Sequence, residues 1–162
     1  MNKKMKKRIV YQIDQSGKIE QTERHTVIAC TGGIEMTVLL KKREKRKLQQ
    51  IFKMTDAQKL FTYLTFAALL AILIKEVNPK HKIVIDREYI GHERLIEEKI
   101  ILYLQQLGVI RVTTVEFGHV GKLSSAHNLA YKVARGKKNP TLIADAKDVL
   151  KLILGIKKTG TA

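Results

Sequence analysis

Apolar and polar positions in the first third of the chain form three short runs separated by turn residues. The runs extend from Arg8 to Asp14, from His25 to Thr31 and from Ile34 to Leu40. The second and third runs are joined by Gly32-Gly33, and glycine tolerates the positive φ angles that tight hairpin turns require. The pattern predicts three strands in an antiparallel meander.

A long apolar segment from Thr55 to Glu76 follows, and Asn78-Pro79 is expected to end it as a helix. Its apolar residues cover more than one face, which is typical of a helix buried on most sides. The uncharged part, Leu60 to Ile74, is shorter than the roughly 20 residues that span a bilayer, so we expect no membrane. The outer face of this helix is more apolar than one sheet can cover, which predicts a homodimer through residues 55–76. The alternative is that the last helix of the chain covers this face.

Apolar runs and helical periods alternate in the second half of the chain. Three apolar residues in Lys82–Asp86 indicate a strand that is buried on both faces inside a parallel sheet. The predicted elements are, in order, a strand over Lys82–Asp86, a helix over His92–Leu107, a strand over Val109–Phe117, a helix capped by Ser124 or Ser125, and a last helix beginning near Pro140. These elements predict an α/β domain with a five-stranded sheet over residues 8–155, between disordered tails at 1–7 and 156–162.

The charge of the chain points to an anionic partner. A net charge of +16 and a pI near 10.0 favour nucleic acid, then an anionic membrane surface, with a merely solvated basic surface as the alternative. The densest basic run follows the third strand and predicts either phosphate contacts or a solvated loop or helix start. The predicted nucleic-acid-binding residues are Lys41, Lys42, Arg43, Lys45, Arg46 and Lys47, together with Lys122 in a later loop.

The number of cysteines and the N-terminal residues indicate the cellular compartment of the protein. The single Cys30 excludes an internal disulfide framework and a zinc-finger type of metal site, and it suits a reducing interior. The basic start runs directly into a strand and a carboxylate, unlike a secretory signal peptide. We therefore predict a cytoplasmic location.

Two carboxylates stand where apolar strands end. Asp14 ends the first strand before a Ser-Gly turn, and Asp86 ends the fourth. The carboxyl ends of strands form the rim where open α/β sheets place their sites. If the two strands are neighbours, the aspartates can share a divalent metal ion; the alternative is that each aspartate only ends its strand.

A third motif completes a resemblance to a known family. Gly118-His119-Val120-Gly121 is followed by Ala126-His127-Asn128-Leu129-Ala130. Together with the order of elements and the two aspartates, this motif resembles the ribonuclease H-like superfamily over about residues 8–135. The resemblance implies a mixed sheet, with an antiparallel three-strand meander extended by two parallel strands and helices on both faces. It also implies acidic residues at the rim that hold two Mg²⁺ or Mn²⁺ ions.

His127 stands where most of the family has its last acid, and this substitution is similar to the Argonaute/Piwi branch with its two aspartates and a histidine. The resemblance implies that Asp14, Asp86 and His127 are both metal-binding and catalytic. Two metal ions activate water and stabilise the leaving oxygen of a phosphodiester. The implied function is a nuclease acting on RNA, hybrid or structured DNA; the alternative is a non-catalytic nucleic-acid-binding domain with a degenerate site.

One acid of the family pattern is missing, because the first long helix carries no central glutamate. Asp56 lies at the start of that helix, where it could equally act as an N-cap. Glu88 is a second candidate metal ligand, since residues two apart on a strand share a face and Asp86 is its partner. Glu93 is a third. His119, in the loop, is a candidate proton carrier or substrate contact.

Overall fold

A computed structural model describes residues 10–111 and 114–156. The predicted N-terminal tail at residues 1–7 and the predicted start of the first strand at residues 8–9 lie outside the described residues. The C-terminal tail, predicted at 156–162, lies outside them from residue 157 onward.

The first three strands form the predicted antiparallel meander. They are β1 (Tyr11–Ser16), β2 (Thr26–Thr31) and β3 (Met36–Leu40). Ala29, at the centre of β2, is aligned with Asp14 of β1 on one side and with Thr37 of β3 on the other. Every residue of β2 is buried, as expected for a strand with neighbours on both edges and helices on both faces.

Two strands extend the sheet in parallel beyond β1. β4 (Ile83–Asp86) pairs with β1, and β5 (Val115–Gly118) pairs with β4. The register aligns Ile13 with Ile85, so Asp14 and Asp86 follow at the same edge. β5 begins at Val115 rather than at the predicted Val109, and residues 109–111 and 114 are irregular. Residues 112–113 of the predicted strand lie outside the described residues.

Within the part of the chain that the structure describes, the sheet has six strands rather than the predicted five. β6 (Leu142–Ala144) pairs in parallel with β3, giving the order β5-β4-β1-β2-β3-β6. Thr37 and Thr141 reinforce this pairing, because the backbone N–H of each donates to the hydroxyl of the other at 3.0 Å. A strand of three residues is too short to show an alternation of apolar and polar positions, so the sequence predicts these residues as part of the last helix. The chain is thus an α/β protein with a mixed sheet.

In the described residues, five α-helices accompany the sheet: α1 (Lys42–Lys53), α2 (Phe61–Val77), α3 (Glu93–Gln106), α4 (Ser125–Ala134) and α5 (Ala146–Leu154). The last helix begins after Asp145, not near Pro140, and Asp145 forms a capping box with Asp148. α2 begins at Phe61, after a 3-10 turn, rather than at Thr55. It ends as predicted, with Asn78 in the left-handed region.

The two faces of the sheet are covered differently. α2, α3 and α5 pack over one face, where β-strand residues such as Ile13 and Ile28 join the main core. α4 covers the other face over a small cluster in which Val27 and Ala29 contact Leu129. Successive strand residues point to opposite faces, so Asp14, next to Ile13, lies on the face of α4.

The apolar helix α2 is buried within one chain. Phe61, Phe66, Leu69, Leu70 and Leu73, which formed the predicted interface, are at most 5% exposed. α3 and α5 supply the cover. The expectation of an exposed apolar face on this helix is therefore wrong, because α3 and the last helix cover it. A homodimer through residues 55–76 stays a prediction.

One helical stretch in the described residues, Gln58–Val77, is long and apolar enough to cross a membrane by length and composition. Its mean hydropathy is 1.8, and 67% of the apolar window is buried inside the fold. A core helix of a globular domain meets the same criteria, and the packing of α2 between the sheet, α3 and α5 accounts for its apolar character.

The turn after β1 requires a glycine. Gly17 has a φ of 77°, and a Cβ atom there would lie 2.0 Å from the carbonyl oxygen of His25. Gly136 has a similar φ of 72° but nothing within 4 Å of its Cβ position. We expect Gly17→Ala to lower the free energy of unfolding by about 2 kcal/mol more than Gly136→Ala. Urea unfolding of both variants measures this difference; equal losses would show that the 2.0 Å contact relaxes freely.

Candidate metal centre

Asp14 is the most deeply buried acid of the site, with 4% of its surface exposed. Its Oδ1 accepts a hydrogen bond from the backbone N–H of Gln15 at 2.8 Å. Its Oδ2 lies 2.9 Å from Nδ1 of His127. An ionised carboxylate can only accept hydrogen bonds, so Nδ1 of His127 carries the proton and Nε2 is left as an acceptor.

Asp86 lies beside Asp14 because β4 runs parallel to β1 in register. The backbone N–H of Val120 donates to Asp86 Oδ1 at 2.9 Å, which ties the loop after β5 to the end of β4. The two aspartates are thus fixed by backbone donors from different parts of the chain.

Glu88 completes a group of three carboxylates. One ligand oxygen from each of Asp14, Asp86 and Glu88 lies within 4.8 Å of the others. The next residue, Tyr89, anchors the segment, since its hydroxyl accepts hydrogen bonds from Gln15 Nε2 at 3.2 Å and from the N–H of Ile19 at 3.1 Å. Sequence reasoning missed this role of Tyr89 because both of its partners come from the distant β1–β2 region.

The three carboxylates repel one another. Burial, followed by the charges of Asp86 and Asp14, raises the pKa of Glu88 from 4.5 to about 7. Burial also raises the pKa of Asp14, although its hydrogen bonds with Gln15 and His127 act in the opposite direction. A divalent cation between the carboxylates would relieve this repulsion.

The carboxylates open into a cavity of about 470 Å³. Its walls also carry cationic and imidazole groups from three segments of the chain. The lining residues are Asp14, Asp86, Arg87, Glu88, Ile90, Gly118, His119, Gly121, Lys122 and His127. Carboxylate oxygens are the ligands that Mg²⁺ and Mn²⁺ prefer, so this donor set fits the predicted metals.

The structure brings the predicted site residues together. Asp14, Asp86 and His127 lie at one edge of the sheet, with Glu88 beside them. His127 is not in the carboxylate group itself; it contacts that group by its hydrogen bond to Asp14. His119 lines the same cavity and is exposed.

Two of the three candidates for the missing acid lie outside the carboxylate group. Glu93 accepts a hydrogen bond from the N–H of Gly91 at 2.8 Å and lies 3.6 Å from the Arg87 side chain. Asp56 is exposed in the turn between α1 and α2. Glu88 was predicted on the strand face of Asp86; it lies just beyond the end of β4 and is the candidate that joins the aspartates.

The basic run that was predicted to contact phosphate is divided between surface and interior. Lys45 is fully buried, and its Nζ donates to the carbonyl oxygens of Lys18 at 3.0 Å and Gln21 at 2.7 Å and to Thr26 Oγ1 at 3.0 Å. Burial lowers its pKa from 10.5 to about 8. The prediction that Lys45 binds nucleic acid is therefore wrong, since its amino group cannot reach a phosphate.

The other members of the run are accessible. Lys41 is half-buried, and Lys122 is exposed in the later loop. Four basic side chains on α1 are also exposed: Lys42, Arg43, Arg46 and Lys47. Lys47 is partly neutralised, since Glu44 lies 3.1 Å from it. Their role as nucleic-acid-binding residues stays a prediction.

Cys30 lies fully buried in β2, and burial raises the pKa of its thiol to about 12. The thiol is therefore a packing group rather than a nucleophile. The cytoplasmic location inferred partly from this residue stays a prediction.

No protein-family model, curated protein or solved structure significantly matches the chain. The function therefore has to be argued from the geometry and chemistry of the carboxylate group and its surroundings.

Proposed function

We propose that this protein is a divalent-metal-dependent nuclease with a ribonuclease H-like fold. The observation that carries the proposal is the convergence of Asp14, Asp86 and Glu88 within 4.8 Å, at the carboxyl ends of adjacent parallel strands. The order β5-β4-β1-β2-β3, with three antiparallel and two parallel strands, supports the proposed fold. β6 is an addition at the edge.

The three carboxylates are the proposed ligands of Mg²⁺ or Mn²⁺. When bound, two such ions would supply an activated water and would stabilise the leaving oxygen of a phosphodiester. The chain fixes the carboxylates before binding, because Gln15 and Val120 hold one oxygen of each aspartate through their backbone N–H groups. Preorganised ligands of this kind need little rearrangement when the charge of the transition state develops.

His127 has two proposed roles that its geometry allows together. Its Nδ1–H holds Asp14 in one orientation, as donors beyond the ligands commonly do in metal sites. The ring also lines the cavity, which supports a second role in which Nε2 binds a metal ion or takes a proton from water. Ser124 supports this placement, because its hydroxyl caps α4 by accepting the N–H of His127 at 3.0 Å.

Basic groups beside the carboxylates are the proposed contacts to the substrate backbone. Lys122 and Arg87 line the same cavity as the acids, and both are exposed. A phosphodiester that approaches the metal site therefore meets positive charge on the cavity walls. This arrangement and the net charge of +16 favour nucleic acid over a small neutral substrate.

Two measurements test the proposal. We expect Mg²⁺ or Mn²⁺ to raise the melting temperature of the protein, because a ligand of the native state stabilises it. We also expect cleavage of at least one of labelled RNA, DNA or hybrid substrates with either ion, and none with EDTA. Metal-independent melting together with intact substrates would contradict the proposal and favour the non-catalytic binding domain.

A further inference from the structure

A second cavity of about 390 Å³ lies near the other end of α4. Its walls bring together Arg24 and His25, before β2, with Lys42 at the start of α1 and Tyr131 and Arg135 on or next to α4. We call this cavity the arginine pocket. The sequence offered one signal for it, the spacing of four residues from His127 to Tyr131 and again to Arg135.

The arginine pocket has an excess of positive charge. Arg24, Lys42 and Arg135 face one acid, Glu23. Among residues 10–111 and 114–156, none of these three cations forms an ion pair with an acidic side chain. The Arg135 guanidinium lies 4.8 Å from the centre of the Tyr131 ring, a cation–π contact that leaves its N–H donors available.

His25 adds a neutral hydrogen-bond donor. Its Nδ1 accepts the backbone N–H of Lys42 at 2.9 Å, so the proton of the neutral ring is on Nε2. Burial lowers the pKa of His25, and the charges of Lys42, Lys45 and Lys41 lower it further. The ring therefore lies in a positive electrostatic field.

The arginine pocket and the carboxylate site lie on the same face of the sheet, and each is lined by residues of β1 and by residues on or next to α4. Asp14 and Ser16 are two residues apart on β1 and share a face; Asp14 lines one cavity and Ser16 the other. His127 and Arg135 are eight residues apart along α4, which corresponds to about 12 Å at a rise of roughly 1.5 Å per residue. A single elongated ligand can therefore contact both sites.

We propose that the arginine pocket binds a backbone phosphate of the nucleic-acid strand that is cleaved at the carboxylate site. Arg24 and Arg135 supply the planar forks that match phosphate oxygens, with Lys42 and His25 as further donors. At about 3.4 Å per nucleotide along a duplex, a separation of about 12 Å places this phosphate three to four nucleotides from the scissile one. This inference rests on the proposed function for the nature of the ligand.

The first test is equilibrium binding in EDTA, where cleavage cannot occur. The probes are fluorescent RNA, DNA and hybrid duplexes of equal length, and the tightest is studied over a range of salt concentrations. We expect Arg24→Gln and Arg135→Gln each to weaken binding roughly tenfold. Together they reduce the slope of log K against log salt by about 0.9, the value for one lost phosphate.

The matched control is the pair Lys80→Gln and Arg111→Gln. Both residues are exposed near the opposite end of the parallel strands, so the pair removes the same charge far from the pocket. Melting temperatures check that all variants fold. A slope that is unchanged in the arginine variants, or is reduced equally in the control, would overturn the inference.

The second test locates the phosphate without changing the protein. Single neutral methylphosphonates are placed at successive positions of the probe, and the loss of binding is measured for each. We expect one position to reproduce the loss seen in the arginine variants, and to cause no further loss when combined with them. If inorganic phosphate competes only with the wild type while no methylphosphonate position matters, the pocket binds free phosphate and the inference is overturned.

The two proposals can fail separately. Loss of binding in the arginine variants, with no metal-dependent cleavage in any assay, would support the pocket and contradict the nuclease. Cleavage with unchanged binding and salt slope in the arginine variants would support the nuclease and contradict the pocket. When both hold, the sensitive methylphosphonate should lie three to four nucleotides from the cleavage position.

Discussion

Asp86→Asn should abolish metal-dependent cleavage, with a loss of at least about a thousandfold. The substitution removes a ligand charge from the proposed metal site, and metal ions in such sites contribute several kcal/mol to transition-state stabilisation. Asp14→Asn and Glu88→Gln should show similar losses, because their oxygens belong to the same group. Initial rates under saturating Mg²⁺ or Mn²⁺ measure the effect.

The same variants should bind nucleic acid as well as the wild type, or slightly more tightly. Each removes a negative charge that repels phosphate, while the basic side chains remain. Asp56→Asn is the control, since this exposed aspartate lies outside the carboxylate group. A rate loss for Asp56→Asn, or full activity of Asp86→Asn, would be incompatible with the proposed site.

His127→Gln distinguishes a supporting role from that of an obligatory metal ligand. If the ring mainly orients Asp14, the loss should be about 10- to 100-fold, as for other groups that position a ligand. A loss as large as that of Asp86→Asn would instead indicate that His127 coordinates a metal ion, as the resemblance to the Argonaute/Piwi branch implies.

Lys45→Met should destabilise the fold, by about 2 kcal/mol near pH 7. The substitution removes three hydrogen bonds that tie α1 to Lys18, Gln21 and Thr26, and it takes this donor away from the buried hydroxyl of Thr26. Arg46→Met is the control, because its side chain is exposed on the same helix. Chemical denaturation followed by circular dichroism gives both values.

The difference between wild type and Lys45→Met should grow as the pH rises from about 8 to about 10.5. Burial lowers the pKa of Lys45 in the folded protein to about 8, whereas the ordinary value is 10.5. In this window the unfolded chain holds the proton and the folded protein does not, so the wild type gains stability as the pH rises. The full gain is on the order of 3 kcal/mol, and a constant difference would show that Lys45 is not buried as described.

The sequence determined those elements whose evidence is local. Alternating apolar runs with glycine turns specified the meander, and a buried apolar run specified β4, because such strands need no distant partner to be recognised. Asp14 and Asp86 were found because an acid that ends a buried strand is unusual at that position. The cap of α4 was predicted at Ser124 or Ser125 for a similarly local reason, and it is Ser124.

Only the tertiary structure decided features that depend on distant partners. β6 is three residues long, and it becomes a strand through its pairing with β3 and the contacts between Thr37 and Thr141. From the sequence, Lys45 is expected to be a surface charge. In the folded chain its amino group is buried, because carbonyl oxygens of the segment between β1 and β2 accept its hydrogen bonds. The arginine pocket likewise joins residues more than one hundred positions apart.

The same distinction explains the carboxylate site. The period of two along a strand made Glu88 a candidate partner of Asp86, but the parallel alignment of β4 with β1 decided which acids converge. A linear pattern records which residues share a face of one element. It does not record which faces meet, because that depends on how the whole chain buries its apolar surface.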